Sequence, residues 1–458
     1  MSLTIDKQTV LKYDVPGPRY TSYPTAPEWS ASIDAAVYAG KLKAFGSNDK
    51  TLSLYIHIPF CEQLCYFCAC NKVIRAKEEK TGDEYLDHLF KEVDMVVALI
   101  GRKKTVCQLH WGGGTPTYLS EPQCRRLFAK ITDIFDVDLE GEIAIETDPR
   151  TVNRDKLKLL KDLGFNRISM GVQDFDAKVQ DDINRIQPFE QVSAVNGWCR
   201  EMDFKSVNFD LIYGLPYQTR ETFGKTVTQV IDLKPDRIAL YSFAYVPWLS
   251  KPQNKFNLDA IAQQDEKLDI FIQSRDKLSA AGYQAIAMDH FALQTDDMAK
   301  AFHNGQLYRN FMGYTLKPAD EFLGFGVSAI GFLENTYVQN VKVLPDYYAK
   351  IVAGHLPIER GKHLTEDDRI RQWVINALMC RFVIDKNEFF KAFGYEFENY
   401  FVDEAEHIKE CAQDGLIQED HVCLMVTELG KLFIRNVCMG FDWYLRQKNG
   451  HKRFSRTV

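Results

Sequence analysis

The stretch LSLYIHIPFCEQLCYFCACNK, residues 52–72, decides the fold because it joins a strand-like run to a cluster of cysteines. Residues 52–58 are rich in apolar and aromatic side chains and predict a buried strand. Cys61, Cys65, Cys68 and Cys70 follow that strand directly. In a series of βα units, loops after strands lie at the carboxyl edge of the sheet, where active sites occur. The stretch therefore predicts a chemical site at the end of the first strand of an α/β fold.

The same order of a short strand followed by an amphipathic helix recurs along the chain. Helical periodicity is visible in segments such as 83–100, 121–135 and 154–164. The strand-like runs lie at 52–58, 105–111, 142–147, 167–172, 206–212 and 237–243. Parallel strands need helical crossovers, and a spacing of about 35–40 residues suits an α/β barrel. The pattern predicts a barrel of six units rather than eight.

The periodicity changes on both sides of the predicted barrel. From about residue 365 onward helical patterns dominate, with one β-like run, VCLMV (422–426). The first residues have little periodicity and contain GPRYTSYPT (17–25), which predicts an extended arm over the barrel mouth. We therefore expect three parts: an N-terminal arm at 1–45, a catalytic barrel at 46–360 and a small, mostly helical C-terminal domain at 361–458 that covers the site.

Composition and charge argue against two broad classes of function. The 458 residues include 63 acidic and 56 basic side chains, a net charge of −7, whereas non-specific nucleic-acid binding needs a basic surface. No stretch approaches the ~18 uninterrupted apolar residues of a membrane helix. The first residues, MSLTIDKQTVLKYDV, lack the apolar core of a secretory signal. We expect a cytoplasmic protein that binds neither nucleic acid nor membrane.

The cysteine spacing points to a metal cofactor. Cys61, Cys65 and Cys68 are separated by three and two residues, a spacing at which each thiolate can bind a different iron of one cluster. Three ligands leave the fourth iron of a [4Fe–4S] cluster open for substrate. Structural zinc usually uses two separated ligand pairs, and the sequence has no second pair at such spacing. The spacing alone leaves a zinc site and unliganded cysteines as alternatives.

The CxxxCxxC pattern, with its aromatic pair in CYFC, resembles the signature of radical S-adenosylmethionine (SAM) enzymes. An ordered set of motifs over nearly the whole chain resembles the oxygen-independent coproporphyrinogen III oxidase family. These motifs are GPRYTSYPT (17–25), YIHIPFCEQLCYFCACNK (55–72), LHWGGGTPTYL (109–119), AIETDPR (144–150), FNRISMGVQDF (165–175), NFDLIYGLP (208–216), YRNFMGYT (308–315), GFGVSAI (324–330), IRNVCMGFDWYLRQK (434–448) and FSR (454–456). The resemblance implies a partial (β/α)6 radical SAM barrel with a [4Fe–4S] cluster on Cys61, Cys65 and Cys68.

The resemblance also implies that two SAM molecules bind. The first would contact Tyr55, Gly113, Glu146 and Ile330. The second would contact Phe67, Gly114, Thr115, Gln173, Arg185, Asp210 and Ala244. A carboxylate such as Glu146 can accept hydrogen bonds from an ammonium group, and Arg185 suits a carboxylate. Cys70 is not expected to bind iron, because a fourth cluster ligand would close the position that SAM needs. It is a candidate catalytic thiol, and the alternative is a packed thiol near the reactants.

The activity implied by the resemblance is oxygen-independent oxidative decarboxylation in haem biosynthesis. Two propionates of coproporphyrinogen III become vinyls, giving protoporphyrinogen IX, after a SAM-derived 5′-deoxyadenosyl radical removes hydrogen from the propionate β-carbon. A monomer is expected, with flavodoxin or ferredoxin as electron donor. Because the substrate carries four propionates, arginines should line its pocket. Arg19, Arg309 and Arg435 lie in family-like motifs and are candidates.

Three other functions remain open. One is a haem-binding chaperone of the same family, but such relatives lack GPRYTSYPT and have Phe in place of Cys70. The second is another tetrapyrrole-modifying radical SAM enzyme. The third is a DNA-binding winged helix with an iron–sulfur sensor, but its recognition helix should be basic, whereas FENYFVDEAEHIKECAQDG (397–415) is acidic. These features favour the oxidase.

Overall fold

The computed structural model describes residues 7–316, 319–447 and 454–457. The first residues of the predicted arm, 1–6, therefore lie outside the described residues. So do residues 448–453 and 458 of the predicted C-terminal domain, which include the last residue of the motif at 434–448. Among the described residues, no helix is both long enough and apolar enough to cross a membrane.

Most of the strands belong to one mixed sheet. In chain order the strands are β1 (Leu52–Ile58), β2 (Phe60–Cys61), β3 (Val73–Ile74), β4 (Thr105–Gly113), β5 (Asp136–Thr147), β6 (Arg167–Gln173), β7 (Ser206–Tyr213), β8 (Arg237–Ser242), β9 (Tyr283–Ala285), β10 (His290–Leu293), β11 (Tyr308–Asn310), β12 (Gly313–Thr315), β13 (Glu321–Phe325), β14 (Ile330–Leu333), β15 (Thr336–Asn340), β16 (Ile358–His363), β17 (Val383–Asp385), β18 (Ile417–Glu419) and β19 (Cys423–Val426). The main sheet has the order β16-β15-β14-β13-β1-β4-β5-β6-β7-β8-β10-β9. Three smaller sheets pair β2 with β3, β11 with β12, and β17 and β18 with β19.

Helices follow most of the barrel strands and make up most of the C-terminal region. They are α1 (Lys7–Tyr13), α2 (Ala35–Gly46), α3 (Glu79–Ile100), α4 (Glu121–Ile134), α5 (Arg154–Asp162), α6 (Ala177–Asp182), α7 (Phe189–Glu201), α8 (Arg220–Leu233), α9 (Gln264–Ala280), α10 (Asp297–His303), α11 (Leu344–Val352), α12 (Glu366–Arg381), α13 (Lys386–Phe393), α14 (Phe397–Tyr400), α15 (Ala405–Gln413), α16 (Glu428–Leu432), α17 (Ile434–Gly440) and α18 (Trp443–Gln447). Short 3₁₀ helices lie at Ala26–Glu28, Pro116–Tyr118, Lys251–Lys255, Leu258–Ala260 and Val402–Glu404.

The six strands predicted from the sequence are β1 and β4 to β8, which pair in parallel in that order. This confirms the α/β fold class, and β13, which pairs in parallel with β1, adds a seventh parallel strand that the sequence analysis did not predict. The register aligns their carboxyl ends, because Ile58 lies opposite Gly113 and Gly171 opposite Asp210. Antiparallel strands extend the sheet at both edges, β14 to β16 on one side and β10 and β9 on the other.

Alternation along the strands separates an apolar outer face from a polar interior. On β4, Leu109 and Trp111 are buried under the surrounding helices, while Gln108 and His110 line a cavity inside the barrel. Successive side chains of a strand point to opposite faces, so one short strand serves both surfaces. The interior of this barrel is therefore lined by polar groups that lie below the strand ends.

The segment predicted as an extended arm contains a helix of the barrel. Tyr38, Leu42 and Phe45 of α2 are buried in the same hydrophobic cluster as the parallel strands. The expectation of an extended conformation is wrong for this part, since these side chains repeat at a helical spacing on one face. Asp34 begins the helix by accepting hydrogen bonds from the backbone N–H groups of Ala36 and Val37.

The C-terminal helices enclose a second hydrophobic cluster. It contains Phe389, Phe397, Phe401 and Phe441, with several edge-to-face ring contacts. Residues of the N-terminal segment share this cluster, and Tyr20 is among them. The N-terminal and C-terminal parts of the chain are therefore joined by apolar packing, which is the dominant favourable contribution to folding.

Glu92 on α3 is a buried carboxylate that joins three parts of the barrel edge. It accepts hydrogen bonds from the backbone N–H of Gly326, the amide of Asn340 and the hydroxyl of Tyr347 at 2.6–2.8 Å. Burial raises the pKa of Glu92 to about 7, although these three donors oppose the rise. The folded protein therefore keeps a proton on Glu92 at pH values where the unfolded chain has lost it.

We expect Glu92→Gln to remove a pH dependence of stability. The wild-type free energy of unfolding should fall as pH rises from about 4.5 to 7, by up to about 3 kcal/mol at ~1.4 kcal/mol per pH unit, because the unfolded state releases the proton first. Urea unfolding of both proteins at about pH 5, 6 and 7.5 measures the free energy of unfolding at each pH. A constant difference between wild type and variant over that range would contradict the prediction.

Candidate active site

The cysteine loop between β2 and β3 is held at its ends and in the middle. Phe60 pairs with Val73 where β2 and β3 meet. At the centre of the loop, the side chain of Gln253 donates to the carbonyl of Phe67 at 2.9 Å, and the hydroxyl of Ser250 donates to the carbonyl of Cys68 at 2.9 Å. The segment after β8 therefore fixes a loop that begins after β1, on the far side of the barrel.

A cavity of about 250 Å³ lies between this loop and the carboxyl ends of the parallel strands. Most residues that the sequence predicted as site residues line it. They are Cys61, Cys65, Cys68, Cys70, Phe67, Gly113, Gly114, Thr115, Glu146, Gln173, Arg185 and Asp210. A second cavity of about 130 Å³ in the barrel interior shares Glu146, Ser169 and Asp210 with the first, so the two adjoin. The structure thus brings together the cysteine loop and residues at the carboxyl ends of β4 to β7.

The glycines after β4 bring backbone against the cavity. Gly113 has a φ of +118°, and its N–H donates to Glu146 Oε2 at 3.0 Å. A Cβ atom at Gly113 would lie 2.7 Å from the His57 ring, and one at Gly114 would lie 2.4 Å from the carbonyl oxygen of Pro59. Only glycine allows both this conformation and this approach.

His57 is a site residue that the sequence analysis missed. Its Nε2 lies 3.0 Å from the carbonyl oxygen of Asn71, so Nε2 carries the proton, and Nδ1 accepts from the hydroxyl of Tyr55 at 3.1 Å. Burial lowers the pKa of His57 to about 4, which keeps the ring neutral. The ring therefore ties β1 to the end of the cysteine loop and supports Gly113. Its position between a strand and CxxxCxxC was the available signal.

Two arginines lie against Cys65. Arg185 Nη1 is 3.5 Å and Arg150 Nη2 is 3.6 Å from Cys65 Sγ, and Asp148 accepts hydrogen bonds from both guanidinium groups. Burial would raise the pKa of Asp148, but Arg185 and Arg150 outweigh it and lower the pKa to about 2. Charged donors stabilise an anionic sulfur. Arg150 and Asp148 were missed in the sequence, although both lie in the AIETDPR motif.

The two carboxylates of the cavity differ in their electrostatic environment. For Glu146, burial is outweighed by the contact with His110 and the N–H of Gly113, which lower its pKa. For Asp210, burial and the nearby charge of Glu146 raise the pKa to about 6, against hydrogen bonds from Asn208 and Ser169. Glu146 is therefore an anion near neutral pH, while Asp210 gains or loses a proton close to that range.

Three predicted site residues do not line the cavity. Tyr55 stacks on His110 inside the barrel, with ring centroids 5.8 Å apart. Ala244 follows β8, and its carbonyl accepts a hydrogen bond from Gln253. Ile330 lies on β14, separated from β1 by β13, and packs in a small cluster that includes Trp29. The three candidate arginines, 19, 309 and 435, also lie outside the cavity, but close to one another.

Comparisons with known proteins agree with this arrangement. Residues 55–230 match the model of the Radical SAM superfamily, and residues 364–433 match the HemN C-terminal domain. The fold and cysteine loop thus define a radical SAM enzyme. The oxygen-independent coproporphyrinogen III oxidase of Salmonella typhimurium is 43% identical over 453 residues, 99% of this chain and 98% of that protein. The chain belongs to the oxygen-independent coproporphyrinogen III oxidase family.

Two further relatives support the same assignment. The enzyme of that name from Synechocystis sp. is 42% identical, over 98% of this chain and 97% of its own length. The structure of coproporphyrinogen III oxidase from Escherichia coli, described as a radical SAM enzyme, matches with a TM-score of 0.91 and 41% identity, covering 97% of this chain and all of that one. These full-length matches support the oxidase interpretation rather than the chaperone.

The residues present fit a [4Fe–4S] cluster and SAM, the cofactors of this class. Three cysteines line one cavity, and Gly113 and Gly114 in its wall have no room for a Cβ atom, so backbone lines the cavity there. Gln173 Oε1 is buried with no hydrogen-bond partner among the described residues, so an acceptor is available for a ligand. No three His, Cys, Asp or Glu side chains of the described part could hold a single metal ion.

We expect Gly113→Ala to destabilise the protein and disrupt the cavity. A φ of +118° is unfavourable for alanine by roughly 1–3 kcal/mol, and the new methyl group would also collide with His57. Thermal unfolding compared with Gly197→Ala measures this. Gly197 lies inside α7 with no atom within 4 Å of its added Cβ, so alanine there should be neutral or stabilising. Equal midpoints for the two variants would contradict the prediction.

Proposed function

We propose that this chain converts two propionates of coproporphyrinogen III to vinyl groups without oxygen, giving protoporphyrinogen IX in haem biosynthesis. The observation that carries the proposal is the single cavity that joins the CxxxCxxC cysteines to the glycine loop and polar strand ends. The support for the substrate comes from relatives of that name that match 98–99% of the chain. When bound, the cluster and SAM supply the radical that removes hydrogen from the substrate.

The cavity residues receive the following proposed roles. Cys61, Cys65 and Cys68 hold the cluster, because they face the same space from one loop. Glu146 is an anion held in place by His110 and Gly113, so it can accept hydrogen bonds from the ammonium group of SAM. Two SAM molecules are proposed to bind, and their contacts are the residues that the family resemblance implies.

Arg185 and Asp210 are proposed to contact the second SAM molecule. Arg185 already donates to Asp148, Cys65 and the carbonyl of Gly171, and its Nε has no partner among the described residues. Its fixed fork can present that remaining donor to a carboxylate. Asp210 is half-buried beside Ser169 and can accept from a ribose hydroxyl. Both side chains orient a ligand and exclude water from the reacting atoms.

Cys70 is proposed as a catalytic thiol. It lines the cavity beyond the three cluster ligands, where its sulfur faces the bound reactants and can hold or transfer a proton. Cys70 lies outside the CxxxCxxC spacing, and a fourth ligand would close the iron position that SAM needs. This supports a role in chemistry rather than in cluster binding.

The remaining assignments concern partners and organisation. We propose a cytoplasmic monomer reduced by a low-potential donor such as flavodoxin or ferredoxin. The division into an arm at 1–45, a barrel at 46–360 and a C-terminal domain at 361–458 is also proposed. The parallel strands and the C-terminal helices each have a hydrophobic cluster, and the second cluster also includes apolar residues between positions 268 and 314 of the barrel. The N-terminal segment contacts both, so it is placed to close the site together with the C-terminal domain.

The first experiment is anaerobic turnover of the reconstituted protein. With SAM, a low-potential reductant and coproporphyrinogen III, mass spectrometry should detect protoporphyrinogen IX with matching carbon dioxide and deoxyadenosine. Cys65→Ser should lose iron and all three products, whereas Cys423→Ser, a cysteine of the remote strand β19, should keep them. Deoxyadenosine without decarboxylated product in the wild type would assign the chain to another tetrapyrrole.

We expect Cys70→Ser to separate cofactor binding from turnover. The variant should bind wild-type amounts of iron and SAM, because Cys70 is not proposed as a ligand. Product formation should fall at least about tenfold, roughly 1.4 kcal/mol in the barrier. Iron content, SAM binding and product yield are measured on the same preparation. Loss of iron would instead make Cys70 a cluster ligand, and unchanged turnover would remove its catalytic role.

A further inference from the structure

Three arginines that are distant in sequence lie together where the N-terminal segment, the barrel and the C-terminal helices meet. Arg309 on β11 donates through Nε to the carbonyl of Arg19 at 3.2 Å. Arg435 on α17 donates to the neighbouring carbonyl of Pro18 at 2.9 Å. Arg309 and Arg435 are only 7% and 4% exposed. The contacts place three guanidinium groups in a largely buried region.

The hydrogen bonds of these arginines go to backbone carbonyls rather than to carboxylates. Arg19 donates to Ser242, and Arg435 donates to the carbonyls of residues 17, 18, 455 and 456. Among residues 7–316, 319–447 and 454–457, no carboxylate lies within 4.0 Å of the three guanidinium groups. Carbonyls satisfy the N–H donors but leave the positive charges uncompensated, and buried unpaired charge is costly.

Asp289 is the nearby acid, and it is already engaged. His290 Nδ1 lies 2.6 Å from Asp289 Oδ1. Burial would raise the pKa of Asp289, but His290, Arg309 and Arg19 lower it to about 2. Burial, followed by the charge of Arg19, lowers the pKa of Arg435 to about 9. Three positive charges therefore face one carboxylate, and the region lacks negative charge.

A cavity adjoins this cationic cluster, which we define as Arg19, Arg309 and Arg435. Its volume is about 50 Å³, and Arg19, Arg435, Asp289, Tyr213 and Ser242 are among the residues that line it. Arg309 does not line the cavity but lies behind it, where it donates to the carbonyl of Arg19. One water molecule needs only about 10–15 Å³ of such space, so a group of the size of a carboxylate can enter. Polar groups from the N-terminal segment, β7, β8 and α17 converge on this space.

We propose that the cationic cluster binds a propionate carboxylate of the tetrapyrrole substrate, one that is not decarboxylated. This rests on the proposed function for the identity of the ligand, while the need for an anion follows from the uncompensated buried charge. Arginine forks match carboxylates in geometry and carry a positive charge near neutral pH. An ion pair here would supply the missing negative charge.

The bound carboxylate is assigned as a non-reacting one for two reasons. The cavity beside the cationic cluster shares no lining residue with the cavity of the cysteine loop. In addition, arginines stabilise a carboxylate anion and would oppose its conversion to neutral carbon dioxide. The cluster would thus hold one end of the macrocycle while another propionate enters the cysteine cavity. This makes it a binding determinant rather than a catalytic group.

The test measures binding of coproporphyrin III, the fluorescent oxidised form that carries the same four propionates, to the reconstituted protein. Arg19→Gln is the main variant, because Arg19 is half-buried and its side chain makes one hydrogen bond, to Ser242. Arg309→Gln is the second. Arg275→Gln is the matched control, since Arg275 pairs with Glu428 at 2.8 Å outside this cavity. Inorganic phosphate is titrated as a competing anion.

We expect the dissociation constant to rise at least about tenfold in Arg19→Gln and Arg309→Gln, and less than about twofold in Arg275→Gln, with SAM binding unchanged. Wild-type dissociation constants in both cluster variants would overturn the proposal. Displacement of coproporphyrin III by millimolar phosphate would also overturn the proposal, because the site would then bind any small anion. If Arg309→Gln does not fold, Arg19→Gln decides alone.

Wild-type turnover separates this proposal from the function on which it rests. If the wild type converts coproporphyrinogen III but both cluster variants bind porphyrin normally, only the assignment of the cationic cluster fails. If the wild type does not convert coproporphyrinogen III, the proposed function fails. The porphyrin-binding data would then show independently whether the three arginines bind a carboxylate.

Discussion

The parallel register of β1 against β4 is the constraint on which the rest of the site depends. It sets Ile58 opposite Gly113, and so places the start of the cysteine loop beside the glycine loop. A shift by one residue would turn every side chain of a strand to the opposite face. His57 on β1, whose ring lies against Gly113, would then point into the helical layer. The register therefore decides both the shape and the charge of the cavity.

Polar side chains in the barrel interior have a cost that the structure offsets locally. Glu146 is held by His110 and Gly113, and Asp148 by two arginines that also contact Cys65. These hydrogen bonds compensate for lost hydration and fix the orientation of each group. The apolar outer face of the strands supplies the burial that stabilises the barrel. A rigid, charged cavity can therefore exist inside an otherwise apolar framework.

The N-terminal and C-terminal parts of the chain contribute a different kind of surface. They meet over the outer edge of β7 and β8, and Arg435 joins them through backbone carbonyls at both ends of the chain. A buried guanidinium group normally pairs with a carboxylate, which accepts its hydrogen bonds and also neutralises its charge. In the cationic cluster carbonyls accept the hydrogen bonds but do not neutralise the charge. In the Arg185–Asp148 pair the carboxylate does both.

The sequence by itself determined the fold class and most of the cavity. Few folds other than a parallel sheet accommodate six strand-like runs with helices between them. The residues that follow the strand ends must then meet at one edge of that sheet. The motifs at 61–70 and 113–115 were therefore predictable as site residues. Helix α2 was missed because its apolar repeat lies in a segment whose other residues show no periodicity.

Only the tertiary structure decided which groups share an environment. His57, Asp148 and Arg150 gain their roles partly from distant neighbours, such as Asn71 for His57 and Cys65 for Arg150, and no local pattern reports those contacts. In the same way, Arg19, Arg309 and Arg435 are single basic residues in the sequence. Their convergence, and the absence of a carboxylate among them in the described structure, arises from how three distant segments pack. Sequence periodicity specifies faces and strand ends, whereas burial and compensation of charge depend on the folded chain as a whole.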